Sequence, residues 1–141
     1  MKKILFLSVA VVALMLVSCN KDQAAVKKLN GTWNVTASST TNGGVTVDNM
    51  QWVDEIKMTF NECKLKTDEW CTGSTMTTAG SFSFTDNQLY RVTGDGTQLE
   101  VKSDTSSSSA DIITINELTK TEMKLTQVDG NNTTVIEAEK Q

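Results

Sequence analysis

The chain has 141 residues, with 13 basic and 17 acidic side chains, no histidine and no proline. This length fits one domain, and a net charge of −4 without a basic stripe gives nucleic-acid binding no electrostatic footing. The missing histidine removes the commonest general base, a Ser-His-Asp arrangement and imidazole-bound metals, so an enzyme would need paired carboxylates or a lysine-activated nucleophile.

Residues 1–18 read as a signal peptide. Lys2 and Lys3 precede an apolar run, Ile4 to Val17, broken only by Ser8. The run is shorter than the roughly 20 residues that a membrane-crossing helix needs. Its charged start, apolar middle and small residue before the cut form the secretory pattern. Leu16-Val17-Ser18-Cys19 resembles the lipobox of bacterial lipoproteins. The resemblance implies cleavage before Cys19, a diacylglyceryl thioether on its thiol, and an N-terminal acyl chain such as palmitate. One acyl chain holds a protein only marginally, whereas several hold it stably. The expected mature chain therefore has 123 residues; without Lys2 and Lys3 it carries 11 basic against 17 acidic groups, a net charge of −6. Its expected partner is the membrane, and its expected location is the bacterial cell envelope, on the outer membrane at the periplasmic face or the cell surface.

Residues 19–28 read as a lipidated tether and a short helix. Asp22 can cap that helix, which runs to about Leu29 and stops at Asn30-Gly31. From there the apolar period becomes two. Thr32 to Ala37 reads as a strand with Trp33 and Val35 on one face, and Asn42-Gly43-Gly44 as a turn into a second strand at Val45 and Val47. Ile56, Met58 and Phe60 alternate, after which the phase slips to Cys63 and Leu65, as a bulge would make it do. Thr67-Asp68-Glu69 reads as a turn. Met76, Thr78, Gly80, Phe82 and Phe84 are expected on one face, with a kink at Gly80. Asp86-Asn87 reads as a turn into Leu89–Thr93, and Gly94-Asp95-Gly96 as the next turn. Leu99 and Val101 mark a strand, residues 103–110 a Ser-rich loop, and Ile113 and Ile115 a strand ending near Leu118. Thr119 to Thr121 turn the chain into the Met123 and Leu125 strand. Asp129-Gly130-Asn131-Asn132 signals a hairpin into Val135–Ala138.

Eight or nine short strands joined by local turns fit either an up-and-down antiparallel barrel or a β-sandwich. Even spacing favours the barrel, and closure removes the exposed edges of a Thr-rich sheet. A short helix followed by Gly31-Thr32-Trp33 resembles the lipocalins. Leu29-Asn30-Gly31-Thr32-Trp33, Ile113-Thr114-Ile115 and Leu118 to Leu125 are similar to the lipocalin-like domains of exported bacterial lipoproteins. The resemblance covers about residues 28–139, and the barrel domain is placed at 29–141. It implies that Gly31 lets the chain turn tightly under the barrel and that Trp33 plugs the closed end. In lipocalins a basic residue from the last strands often covers that Trp; here Lys124 or Lys140 would have to do so.

Cys63 and Cys71 form an even pair with seven residues between them, a spacing that a hairpin can bridge by a disulfide in an oxidising compartment. Two buried free thiols are the alternative; zinc is poorly supported without histidine. Asp54-Glu55 and Asp68-Glu69 are adjacent pairs, which strands send to opposite faces, so neither makes an acid–base dyad. No catalytic residue, metal site or cofactor is expected, and the protein is not expected to be an enzyme. Trp52 and Trp70 could line the barrel mouth, and Met58, Met76 and Phe82 could line a cavity, with Met side chains adapting to a ligand; rim packing and core filling are the competing roles. The expected function is to hold a small apolar ligand in the barrel. The alternative is a non-enzymatic accessory lipoprotein whose rim loops bind an envelope protein or glycan.

Overall fold

The structure is a computed structural model that describes residues 20–141. The signal peptide and the lipidation site at Cys19 lie outside the described residues. Helix α1 (Lys21–Leu29) opens the described chain. Its N-cap is Asn20, whose side chain accepts a hydrogen bond from the Gln23 amide; this satisfies one of the donors that every helix start leaves free. Asp22, expected in that role, instead accepts from the Gly96 amide at 2.7 Å and ties the helix to the sheet.

Nine strands follow: β1 (Gly31–Asn42), β2 (Val45–Asp48), β3 (Glu55–Phe60), β4 (Cys71–Ala79), β5 (Phe82–Thr93), β6 (Gln98–Lys102), β7 (Asp111–Leu118), β8 (Glu122–Asp129) and β9 (Asn132–Lys140). A 3₁₀ turn, Asn49–Trp52, links β2 to β3. All pairings are antiparallel. Strands β1 and β3 to β9 form an eight-stranded up-and-down barrel, closed by β1 against β9. Strand β2 is extra: it pairs with the far half of β1, beyond the stretch that β3 occupies.

Helix α1 caps one end. Ala25, Val26 and Leu29 turn inward, and Trp33 of β1 is fully buried beside them. Gln23 clamps the β3–β4 loop from the helix, donating to the Cys63 carbonyl at 2.8 Å and accepting from the Leu65 amide at 2.9 Å. The β5–β6 turn and the C-terminus of β9 meet the helix at this closed end. The hairpin tips at 43–44, 80–81 and 130–131, with the 103–110 loop, therefore ring the opposite, open end.

Several local expectations change in the fold. Strand β3 stops at Phe60, and residues 61–70 form a loop rather than a bulged continuation. Asp86-Asn87 lies inside β5, in register with Thr75 and Ser74 of β4, and makes no turn. Gly80 sits in the two-residue β4–β5 turn and is not a strand kink. That turn pairs Ala79 with Phe82, so these two residues share a face and the every-other-residue count fails across it. Met76 and Thr78 consequently point outward, and Thr75 and Thr77 point into the barrel. The bulges fall elsewhere, at Val35/Ala37 and Ile115/Glu117. The first of them turns Ala37 outward and Ser38 inward.

Candidate functional site

The lumen is the strongest candidate, and its floor is built from the sequence motif outward. Gly31 holds φ at +120°, a conformation that side chains rarely adopt, and this swings β1 under the barrel directly after the helix. Trp33 Nε1 donates to the Leu29 carbonyl at 2.7 Å, satisfying an acceptor left free at the helix C-terminus. Lys140 covers the indole: its ammonium lies 5.2 Å from the ring centroid and donates to the Lys28 carbonyl at 2.9 Å. Lys124 is engaged elsewhere, with Glu137 at 2.7 Å, a contact that raises its pKa.

Above this floor Phe60 and Tyr90 pack edge to face with centroids 5.1 Å apart. The Tyr90 hydroxyl donates to the Asn61 carbonyl at 2.7 Å. Burial, with the Glu62 carboxylate second, pushes the phenol above its ordinary pKa. Gly73 lets β4 lie close against β3, since a Cβ there would lie 2.8 Å from the Thr59 carbonyl oxygen, while Tyr90 Cδ1 at 3.5 Å would be an ordinary contact. Cys63 and Cys71 are joined by a disulfide with Cα atoms 5.4 Å apart, tying the 61–70 loop to the first residue of β4.

Over Phe60 the lumen keeps a cavity of about 260 Å³. Val35, Ile56, Met58, Leu99 and Val101 wall one part of it, and Ile113, Leu125 and Ile136 complete the apolar lining. Ser38, Thr75, Thr77 and Gln88 add a few polar groups. An apolar cleft with few, placed polar groups is the usual form of a small-molecule site.

Of the residues singled out as ligand-binding, Met58 lines this cavity and the other four do not. Met76 is half-buried on the outer wall, opposite Lys57. Trp52, in the 3₁₀ turn, is 75% exposed, and Phe82 stands at the β4–β5 tip, 82% exposed. Trp70 packs outside the barrel, with Arg91 4.5 Å and Lys102 4.3 Å from its centroid; Arg91 is held in turn by Glu100 at 2.8 Å. Ser38, Thr75, Thr77 and Gln88 were missed. The parity of Gln88 with Tyr90 was readable in the sequence, whereas Ser38 depends on a bulge that leaves no composition signal. Among the described residues no group of three His, Cys, Asp or Glu could hold a metal ion.

No protein-family model matches this chain, and no curated protein matches it.

Proposed function

We propose that the mature chain is a lipid-anchored, lipocalin-like barrel of the bacterial cell envelope that holds a small apolar ligand and performs no catalysis. The cavity above Phe60 carries this reading. Its volume of about 260 Å³ equals that of about nine liquid waters. That is below the roughly 300–1,000 Å³ of drug-sized sites, so the ligand is one small apolar molecule or the end of one chain. The closed end supports the anchoring half of the proposal. Asn20 and α1 lie there, so a tether from Cys19 leaves from the floor and the mouth points away from the lipid.

Two measurements test the two halves. Cys19→Ala should move the protein from the membrane to the soluble fraction; a variant that still sediments with membranes removes the anchor. Native mass spectrometry of protein taken from the envelope should find a bound small molecule. Thr75→Phe, which fills the lumen from β4, should abolish it. A lumen empty in every preparation that also refuses an apolar fluorescent probe would remove the ligand.

The accessory-lipoprotein reading has an observation of its own. The exposed large apolar residues Val45, Val47, Trp52, Phe82, Phe84, Ile112 and Val128 all lie in the mouth half of the barrel. Such clustering marks interaction surfaces more often than scattered exposure does.

A further inference from the structure

Strand β5 is longer than the neighbour that should cover it. Its Phe82–Tyr90 stretch pairs with β4 on one side, but β6 covers its other side only over Leu89–Thr93. After Lys102 the chain leaves the sheet as the 103–110 loop and returns in β7. Phe82 to Gln88 therefore presents an unpaired edge at the mouth. Phe82 to Asn87 are six consecutive exposed residues, with Phe82 at 82% and Phe84 at 65%. An open strand edge is a template for another strand, and proteins that keep one normally blunt it with lysine, proline or a bulge. Lysine, proline and a bulge are all absent between Phe82 and Gln88, where Asp86, facing the lumen side with its partner Thr75, is the one charge.

An open groove of about 490 Å³ crosses the outer wall here, from Asn61, Thr72 and Ser74 past Asn87 and Leu89 to Asp104 on the 103–110 loop. Asp86 is on the edge, on the lumen-side face shared with Phe82 and Phe84, and a second carboxylate, Asp104, stands on the wall of the outer groove. Lys102, the last residue of β6, holds its ammonium over the Trp70 ring, 4.3 Å from the centroid.

We propose that the free edge of β5, Phe82–Gln88, binds an extended basic polypeptide segment as an added antiparallel strand, in line with β6. Main-chain hydrogen bonds supply the affinity in this mode and alternate side chains supply the selectivity. A strand in that position places every second residue on the face of Phe82, Phe84 and Asp86. Read from its N-terminus, the preferred partner carries a Lys or Arg opposite Asp86, then an apolar residue opposite Phe84 and another opposite Phe82. A second copy of this chain is the poorer occupant. Edge-to-edge pairing centred on Phe84 sets each Asp86 against Phe82, and two copies of an acidic chain repel. The proposal does not depend on the lumen holding a ligand.

The test uses the full chain and a synthetic peptide containing Lys-Thr-Val-Thr-Val, with amide hydrogen exchange as readout. The peptide should bind and should slow exchange at alternate amides within Phe82–Gln88. A Glu-Thr-Val-Thr-Val peptide should bind more weakly. Asp86→Asn and Phe84→Ser, both at exposed positions, should each weaken the Lys peptide about two- to fivefold, the range of a single cross-strand pair. Of two peptides N-methylated on alternate residues, one should bind as the parent does and the other should fail. Equal binding of the Lys and Glu peptides, binding without protection of residues 82–88, or retention of binding by both N-methylated peptides would each overturn the proposal. So would concentration-dependent self-association that protects the same amides.

Discussion

Replacing Trp33 by Phe probes how the closed end of the barrel is held. Phe keeps part of the ring but has no N–H, so the buried Leu29 carbonyl loses the donor now 2.7 Å away. Leaving a buried acceptor unsatisfied costs about 1–3 kcal/mol. The smaller ring also gives up apolar contact with Val26 and Leu29, worth about 1–2 kcal/mol if two carbon-sized groups are lost. Together these give a destabilisation of about 2–5 kcal/mol, a large share of the roughly 5–15 kcal/mol typical of a domain. With a urea slope of about 2 kcal/mol per molar, the unfolding midpoint should fall by roughly 1–2.5 M at constant slope. Lys140→Met is the companion: it keeps most of the stem over the indole but removes both the cation–π contact and the hydrogen bond to the Lys28 carbonyl, and should cost about 1–2.5 kcal/mol for the two. A Trp33→Phe effect of less than about 0.5 kcal/mol, the scatter of ordinary surface changes, would refute the account of the closed end.

Other positions give independent checks. Gly73→Ala should destabilise by about 1–3 kcal/mol in the same urea assay, because its Cβ meets the Thr59 backbone 2.8 Å away, which cannot step aside as a side chain can. Replacing Cys63 and Cys71 together by Ser should cost about 2–3 kcal/mol, the loop-entropy value for so short a ring; a calorimetric melt that does not respond to reductant would contradict it. Tyr90 holds its proton more tightly folded than unfolded, so stability should be intact below its ordinary value of 10.0 and fall as pH rises through and above it. Tyr90→Phe should remove that part of the alkaline slope, at most about 1.4 kcal/mol per pH unit. At neutral pH the same variant should lose about 1 kcal/mol with the bond to the Asn61 carbonyl.

Much of the architecture was legible because its signals are local. Alternation at Ile56, Met58 and Phe60 marks a strand without reference to the rest of the chain, and Gly43-Gly44 and Gly130-Asn131 mark hairpins through turn chemistry alone. Parity is local too, but it survives only while the chain stays in one register. Counting from Met76 through Gly80 to Phe84 crossed a two-residue turn, which put Met76 among the cavity residues in place of Thr75 and Thr77. The aromatic residues misled for a different reason. Trp52 and Trp70 are conspicuous in a chain with few aromatic side chains, yet one ends a 3₁₀ turn in solvent and the other stacks on cations outside the wall.

By itself, then, the sequence determined the strand menu, the antiparallel meander and the Gly-x-Trp start of the first strand, since each follows from steric and hydrophobic preferences acting over a few residues. Only the tertiary structure decided which lysine covers Trp33, which threonines face the lumen, and that β5 outruns β6 to leave an edge bare. These depend on how strands far apart in the chain come into register once the barrel closes. Closure is a cooperative property of all eight strands, and no short window of residues contains it.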